Sequence, residues 1–304
     1  MLSGHARFQR RLLLCVLAAA APLGAGCAAA CLSEVGWVCG PGGSFDRQYN
    51  LRIVSRNGKP DLFLYVKEPV GQSNRKALLV AHSSSTDTYE AALLAALQWG
   101  NVFAPLGYTI VAHAYNEAES GYGQYDLEDT LDAIDWLNGP GVDELGVDRV
   151  YLQGTSRGGI IAYQAAYRCG PDKLAAVLAD RGVSNFLLMD VNADAYIAGA
   201  FGSNIQRAVE LTLQWIGVTP DESPEPWMQI SAAYNIEHIG VPLLVLHGDR
   251  DVMVPFEQAL DFQERVRQAG RHDIEFYLVE GRGHLDLGFE PDFRAVVQDF
   301  LERH

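Results

Sequence analysis

VYLQGTSRGG, residues 150–159, is the stretch on which the reading of this chain turns. An apolar run stops at Gly154, Ser156 stands two residues later, and Gly158 and Gly159 follow. A Gly-x-Ser-x-Gly pattern suits a strand that turns sharply into a helix and leaves the serine hydroxyl exposed at the bend. The pattern is also short. It arises by chance in about one chain of this length in seven, so the rest of the chain must decide whether Ser156 is a nucleophile or a polar residue in a turn.

The neighbouring segments alternate between two kinds of pattern. LRIVS (51–55) and DLFLYVKE (61–68) switch between apolar and polar residues around Asn57-Gly58, as the strands of an antiparallel hairpin do. Continuous apolar runs follow at 77–81, 108–114, 149–153, 175–179, 242–248 and 274–280. Such runs, bounded by turn residues, suit strands buried on both faces. Between them, residues 88–100, 126–138, 159–168, 256–270 and 292–303 repeat apolar positions at helical spacing. The alternation predicts an α/β fold: an eight-stranded, mostly parallel sheet with helices on both faces. Residues 183–240 interrupt it with two helix-like pieces, the polar stretch TPDESPEPW (219–227), and Trp215 and Trp227. An insertion of that length before a late strand is expected to be a helical cap over a site.

In an open parallel sheet, ligands bind beyond the carboxyl ends of the strands. The polar residues just past the apolar runs are His82, Ser83 and Ser84; Ser156; Asp180; Asp249 and Asp251; and His284. A serine, an acid and a histidine therefore fall on one sheet edge, in that chain order.

These pieces resemble the α/β-hydrolase superfamily, and from about residue 50 onward the catalytic domain of prolyl-oligopeptidase-like serine hydrolases. The likeness is carried by LGYTIVAHAYN (106–116), YGQYDLEDTLDAIDWL (122–137), VDRVYLQGTSRGG (147–159), YNIEHIGVPLLVLHGDRDVMVP (234–255) and EGRGH (280–284). The resemblance implies an α/β-hydrolase fold and acyl transfer through a serine ester. Ser156 would be the nucleophile and His284 the general base. Asp251 would be the acid that orients the base, because His-Gly-x-x-Asp-x-x-Val-Pro selects it over Asp249, with Asp180 the alternative. The backbone N–H of Arg157 would supply one oxyanion donor. The second would come from the turn where the common His-Gly-Gly is replaced by His82-Ser83-Ser84: an N–H of Ser83 or Ser84, or the His82 ring, which could equally be a buried structural histidine. The Arg157 side chain is expected to pair with an acid. No cofactor or metal is implied.

Substrate class is less directed. With about twenty residues between the expected end of the leader and the first strand, a β-propeller filter of the kind that precedes peptide-cutting relatives is not expected. This favours a carboxylic-ester hydrolase. The alternatives are a small peptidase or amidase acting on short peptides, and a non-catalytic binding protein of the same fold.

Composition narrows the partners. Thirty-eight acids against 23 Lys and Arg give a net charge of −15, which disfavours nucleic acid. Residues 1–30 run from a basic head through an apolar segment to small residues and read as an export signal, followed by an extension over 31–49 and the catalytic region over 50–304. The expected location is periplasmic or secreted, with no membrane insertion unless Cys27 carries a lipid. Cys31 and Cys39 are spaced for a small disulfide loop, and Cys169 is expected to be an unpaired structural residue at a helix end.

Overall fold

A parallel strand covered on both faces must be apolar on both, and its neighbours must be helices that bury one stripe each. The computed structural model describes residues 49–56, 58–85, 87–116, 124–191 and 210–304, and their arrangement follows that rule. The strands are β1 (Tyr49–Arg56), β2 (Lys59–Lys67), β3 (Lys76–Ala81), β4 (Thr109–His113), β5 (Arg149–Thr155), β6 (Ala176–Asp180), β7 (Leu243–Gly248) and β8 (Ile274–Val279). The main helices are α1 (Thr88–Phe103), α2 (Gln124–Leu137), α3 (Pro140–Leu145), α4 (Arg157–Arg168), α5 (Phe186–Val191), α6 (Glu225–Gln229), α7 (Glu257–Gln268) and α8 (Phe293–Arg303).

All eight strands form one sheet in the order β1-β2-β4-β3-β5-β6-β7-β8. β1 and β2 make the antiparallel hairpin, with Arg56 opposite Lys59 and Gly58 at φ 74°. Asn57 lies outside the described residues. β2 joins β4 antiparallel, and the remaining pairs are parallel. Alternate residues of the central strands feed two cores. Leu79, Leu152, Val177 and Val245 face one side, where α2, α4 and α7 contribute Ile134, Ile161 and Phe262. Leu78, Tyr151, Leu178 and Leu244 face the other, where α1 and α8 contribute Trp99 and Phe300. This is the eight-stranded α/β-hydrolase sheet the sequence predicts.

One strand departs from its reading. Residues 274–280 look buried on both faces, but β8 is an edge strand and Glu275, Phe276, Tyr277 and Leu278 are only half-buried. The apolar run reflects packing on α7 and α8 at its two flanks rather than enclosure.

The described part of the 183–240 insertion has a small core of its own. Phe186 and Trp227 bury themselves with Ile160 of α4, Val183 and Val254, and Leu213, Ile216 and Ile230 pack around them. The Trp227 indole N–H donates to the Val218 carbonyl at 3.0 Å, so this tryptophan anchors the insertion from inside, whereas Trp215 is exposed. Cys169 caps α4 as a buried free thiol. Residues 1–48, with the expected export signal and Cys27, Cys31 and Cys39, and residues 192–209 of the insertion lie outside the described residues.

Candidate active site

The bend after β5 brings two backbones into contact and has room for no side chain on either. A Cβ on Gly154 would sit on the carbonyl oxygen of Gly158, well inside 3 Å, and one on Gly158 would sit on the carbonyl of Ala81 at the end of β3. Gly159 and Gly182 press together in the same way, a requirement that the sequence pattern alone does not disclose. Between these glycines Ser156 takes φ 58°, ψ −114°, a region that L residues enter at a cost of about 1–3 kcal/mol. Its N–H is held by the Asp180 carbonyl at 2.8 Å. The strain lifts the hydroxyl off the strand end and starts α4 at Arg157, where the first backbone N–H groups have no helical acceptor.

The loops after β7 and β8 bring Asp251 and His284 to this hydroxyl. His284 Nε2 lies 2.9 Å from Ser156 Oγ, and His284 Nδ1 lies 2.7 Å from Asp251 Oδ2. Both side chains are buried. The other oxygen of Asp251 accepts the N–H groups of Met253 and Val254 at 2.9 and 2.8 Å, so the carboxylate is aimed from behind. His247, near the end of β7, donates Nε2–H to the Val254 carbonyl at 2.8 Å and closes the same loop. Asp249 is exposed and accepts the Gly281 N–H, which ties the two loops together without approaching His284. Asp180 is buried against Arg181, to which it is bound by both oxygens.

On the other flank, the Arg157 side chain turns away from the hydroxyl. Its guanidinium donates to Asp126 of α2 at 2.5 Å, with both groups buried, and lies over the Tyr115 ring at 5.1 Å. The expected acid partner is thus Asp126, whose position relative to Arg157 cannot be inferred from spacing. His82 is buried on Tyr115, with ring centroids 4.0 Å apart. Its Nδ1 is 2.7 Å from the Ser83 carbonyl, which can only accept. The neutral ring therefore carries its proton on Nδ1, and Nε2 is a bare, buried lone pair. Ser83 and Ser84 are exposed at the mouth of the same turn.

Burial holds several histidines neutral. Desolvation pushes His82 down to about 3, against the opposing pull of the Ser83 carbonyl, and pushes His113 down to about 3 as well. His247 is lowered for the same reason, with Asp251 opposing. An unfolded histidine takes up a proton near pH 6.5, whereas these do so only well below it, so stability is complete above pH 6.5 and declines as pH falls. His82 and His113 should each remove about 1.4 kcal/mol per pH unit below 6.5. Urea-unfolding stability should therefore fall between pH 6.5 and 5, above the range where most carboxylates titrate. A flat profile there would contradict the neutral buried rings.

Comparisons with known proteins bear on this geometry. Residues 107–304 match the model of the prolyl oligopeptidase family. Esterase LipC of Mycobacterium tuberculosis is 28% identical over 193 residues, 60% of this chain and 46% of that protein. The uncharacterized peptidase YtmA of Bacillus subtilis is 26% identical over 172 residues, 55% of this chain and 61% of that protein. The chain thus spans roughly half the length of these curated relatives. Among solved structures, an esterase of Pyrococcus furiosus superposes with a TM-score of 0.63 at 17% identity, covering 84% of this chain and 91% of that one. The acylaminoacyl peptidase of Pyrococcus horikoshii superposes with a TM-score of 0.61 at 18% identity, covering 84% of this chain and 41% of that one. At such identity the superpositions speak for the fold alone. The family match covers most of the chain and takes in the bend at Ser156 and both loops that meet it: the chain belongs to the prolyl oligopeptidase family of α/β-hydrolases.

Proposed function

We propose that the protein is a carboxylic-ester hydrolase working through a Ser156–His284–Asp251 triad. The observation that carries this reading is the unbroken relay from Ser156 Oγ to His284 Nε2 at 2.9 Å and from His284 Nδ1 to Asp251 at 2.7 Å. Ser156 attacks the acyl carbon while His284 takes the hydroxyl proton at Nε2. Asp251 keeps the other proton on Nδ1 and stabilises the imidazolium that forms. The tetrahedral intermediate places its oxyanion at the start of α4, where the Arg157 N–H donates. The second donor is a backbone N–H of the Ser83-Ser84 turn, since the His82 ring has already committed its single proton to the Ser83 carbonyl. His284 returns its proton to the departing alcohol, and a water then releases the acyl group by the same steps.

Esters are favoured over amides by the sequence likeness to an esterase, 28% identical over 193 residues. The sequence likeness to an uncharacterized peptidase supports the second reading, an amidase acting on short peptides. The order of residues 1–30, basic then apolar then small, supports export. A panel of nitrophenyl esters of graded acyl length, run beside aminoacyl anilides, tests the choice. Esters should turn over and anilides should lag by at least about tenfold in kcat/KM, a gap of about 1.4 kcal/mol in transition-state stabilisation. Turnover confined to anilides would replace the esterase reading with the peptidase one. Turnover of neither, together with no labelling by a fluorophosphonate, would leave a binding protein.

A further inference from the structure

We propose that Arg181 is a positioning residue for the general base: a buried guanidinium that anchors the backbone of His284 to the sheet. The proposal rests on the triad reading above. Arg181 follows β6, and its side chain is almost wholly buried. Nε donates to Asp180 Oδ1 at 2.7 Å and Nη2 to Asp180 Oδ2 at 2.6 Å. The remaining arm, Nη1, donates to the carbonyl oxygen of His284 itself. Asp180 is in turn fixed from β5, where Thr155 Oγ1 donates to it at 3.2 Å and Gln153 Nε2 donates to Thr155 at 2.7 Å.

The backbone of the same two residues reaches the nucleophile. Ser156 N–H donates to the Asp180 carbonyl at 2.8 Å, and Arg181 N–H donates to the Leu246 carbonyl of β7 at 2.8 Å. Asp180-Arg181 therefore touches the serine through its main chain and the histidine through its guanidinium. The distance between the two reacting groups is set by one rigid dipeptide at a strand end. Arg181 is held at φ 52°, in the left-handed region, and the next residue, Gly182, lies against Gly159 with no room for a Cβ. That strain persists because both contacts are made at once.

His284 needs such a support. It sits in a loop with Gly281 and Gly283 just before it, and its ring is tethered only at Nδ1 to Asp251 and at Nε2 to Ser156. A displacement of the base by about 1 Å is enough to cost roughly 10²-fold in rate. Lysine cannot replace the arrangement, because only a planar guanidinium can grip a carboxylate with two donors and still present a third.

The charged and titratable groups around the imidazole are Asp251 and His247 at the β7 end, Asp180 and Arg181 at the β6 end, and Arg282 and Asp286 on its own loop. Removing one member of the Asp180–Arg181 pair therefore leaves an unbalanced charge near the base. Arg181→Met should lower kcat for an ester by about 10- to 100-fold while KM stays within about threefold. It should raise the acid limb of the kcat/KM profile, since the bare Asp180 carboxylate favours the imidazolium. Asp180→Asn should move that limb the opposite way. Guanidinium ion added below denaturing concentration should restore part of the activity of Arg181→Ala and none to wild type.

Arg181→Met alone could fail to fold, because it strands a buried carboxylate. The paired variant Asp180→Asn/Arg181→Met removes both charges and still lacks the tether. If it folds and retains kcat within about twofold of wild type, Arg181 only neutralises Asp180 and the proposal is overturned. If the acid limbs of the two single variants shift in the same direction, it is overturned too. A wild type inert to ester, anilide and fluorophosphonate removes the triad reading and this proposal together. An active wild type with indifferent variants removes this proposal alone.

Discussion

Ser156→Ala should abolish covalent labelling by a fluorophosphonate and lower ester turnover by about 10⁶-fold, with thermal stability unchanged or raised. The size follows from the proposed triad: such a group acts as a unit, so loss of its nucleophile costs nearly as much as loss of all three members. His284→Ala should therefore fall in the same range, and the double variant should be scarcely worse than either single one. Asp251→Asn should cost about 10⁴-fold, because the amide no longer selects the tautomer with the proton on Nδ1. Asp180→Asn offers the contrast. It stands at the alternative acid position, but both its oxygens are engaged by Arg181 rather than by His284. Its loss should fall well short of that of Asp251→Asn. Initial rates on a short-chain nitrophenyl ester, with active-site titration to count competent enzyme, measure all of these. Residual labelling of Ser156→Ala would locate the nucleophile elsewhere, and an Asp180→Asn defect equal to that of Asp251→Asn would reopen the choice of acid.

The parts of this site that sequence reveals are those whose constraint is local. Gly154 and Gly158 flank Ser156 in the chain, and the clash that excludes a side chain at each is a property of one strand–turn–helix unit. The continuous apolar runs of β3, β5, β6 and β7 state their burial directly, because their apolar residues alternate between two cores. β8 carries the same kind of run at an edge, where periodicity cannot tell an enclosed strand from a half-covered one. The order serine, acid, histidine was legible from positions at strand ends, and the family resemblance chose Asp251 over Asp249 and Asp180; the contacts among them required the fold. Asp126 and Arg181 were not legible at all. Their partners, Arg157 and the His284 carbonyl, lie 31 and 103 residues away, and no spacing rule links such pairs. His82 shows a finer limit. Sequence leaves it as donor or structural ring, and only the carbonyl of its own neighbour decides which nitrogen holds the proton.

Gly154→Ala and Gly158→Ala should each destabilise the fold by more than about 4 kcal/mol, the range reached only when packing leaves no room to relax. Neither position has a left-handed φ, so the penalty comes from contact rather than from backbone conformation. At Gly158 the added methyl meets main-chain atoms of Ala81 and His82, and at Gly154 it meets the backbone of Gly158. Main chain at the centre of a sheet cannot rotate away as a side-chain tip does. The α4 N-terminus would have to lift off β3 and β5, which would also open the core around Ile161 and Ala162. Gly288→Ala is the control. Nothing lies within 4 Å of its Cβ position and its φ is ordinary, so the change should be neutral within about 0.5 kcal/mol or slightly stabilising. Urea midpoints for the three variants, with soluble yield recorded for those that fail to accumulate, distinguish the cases. A Gly158→Ala protein with a wild-type midpoint and lost activity would mean that the glycine serves the chemistry alone. The contact with Ala81 predicts the reverse, because the close approach that exposes Ser156 is also what seats α4 on the sheet.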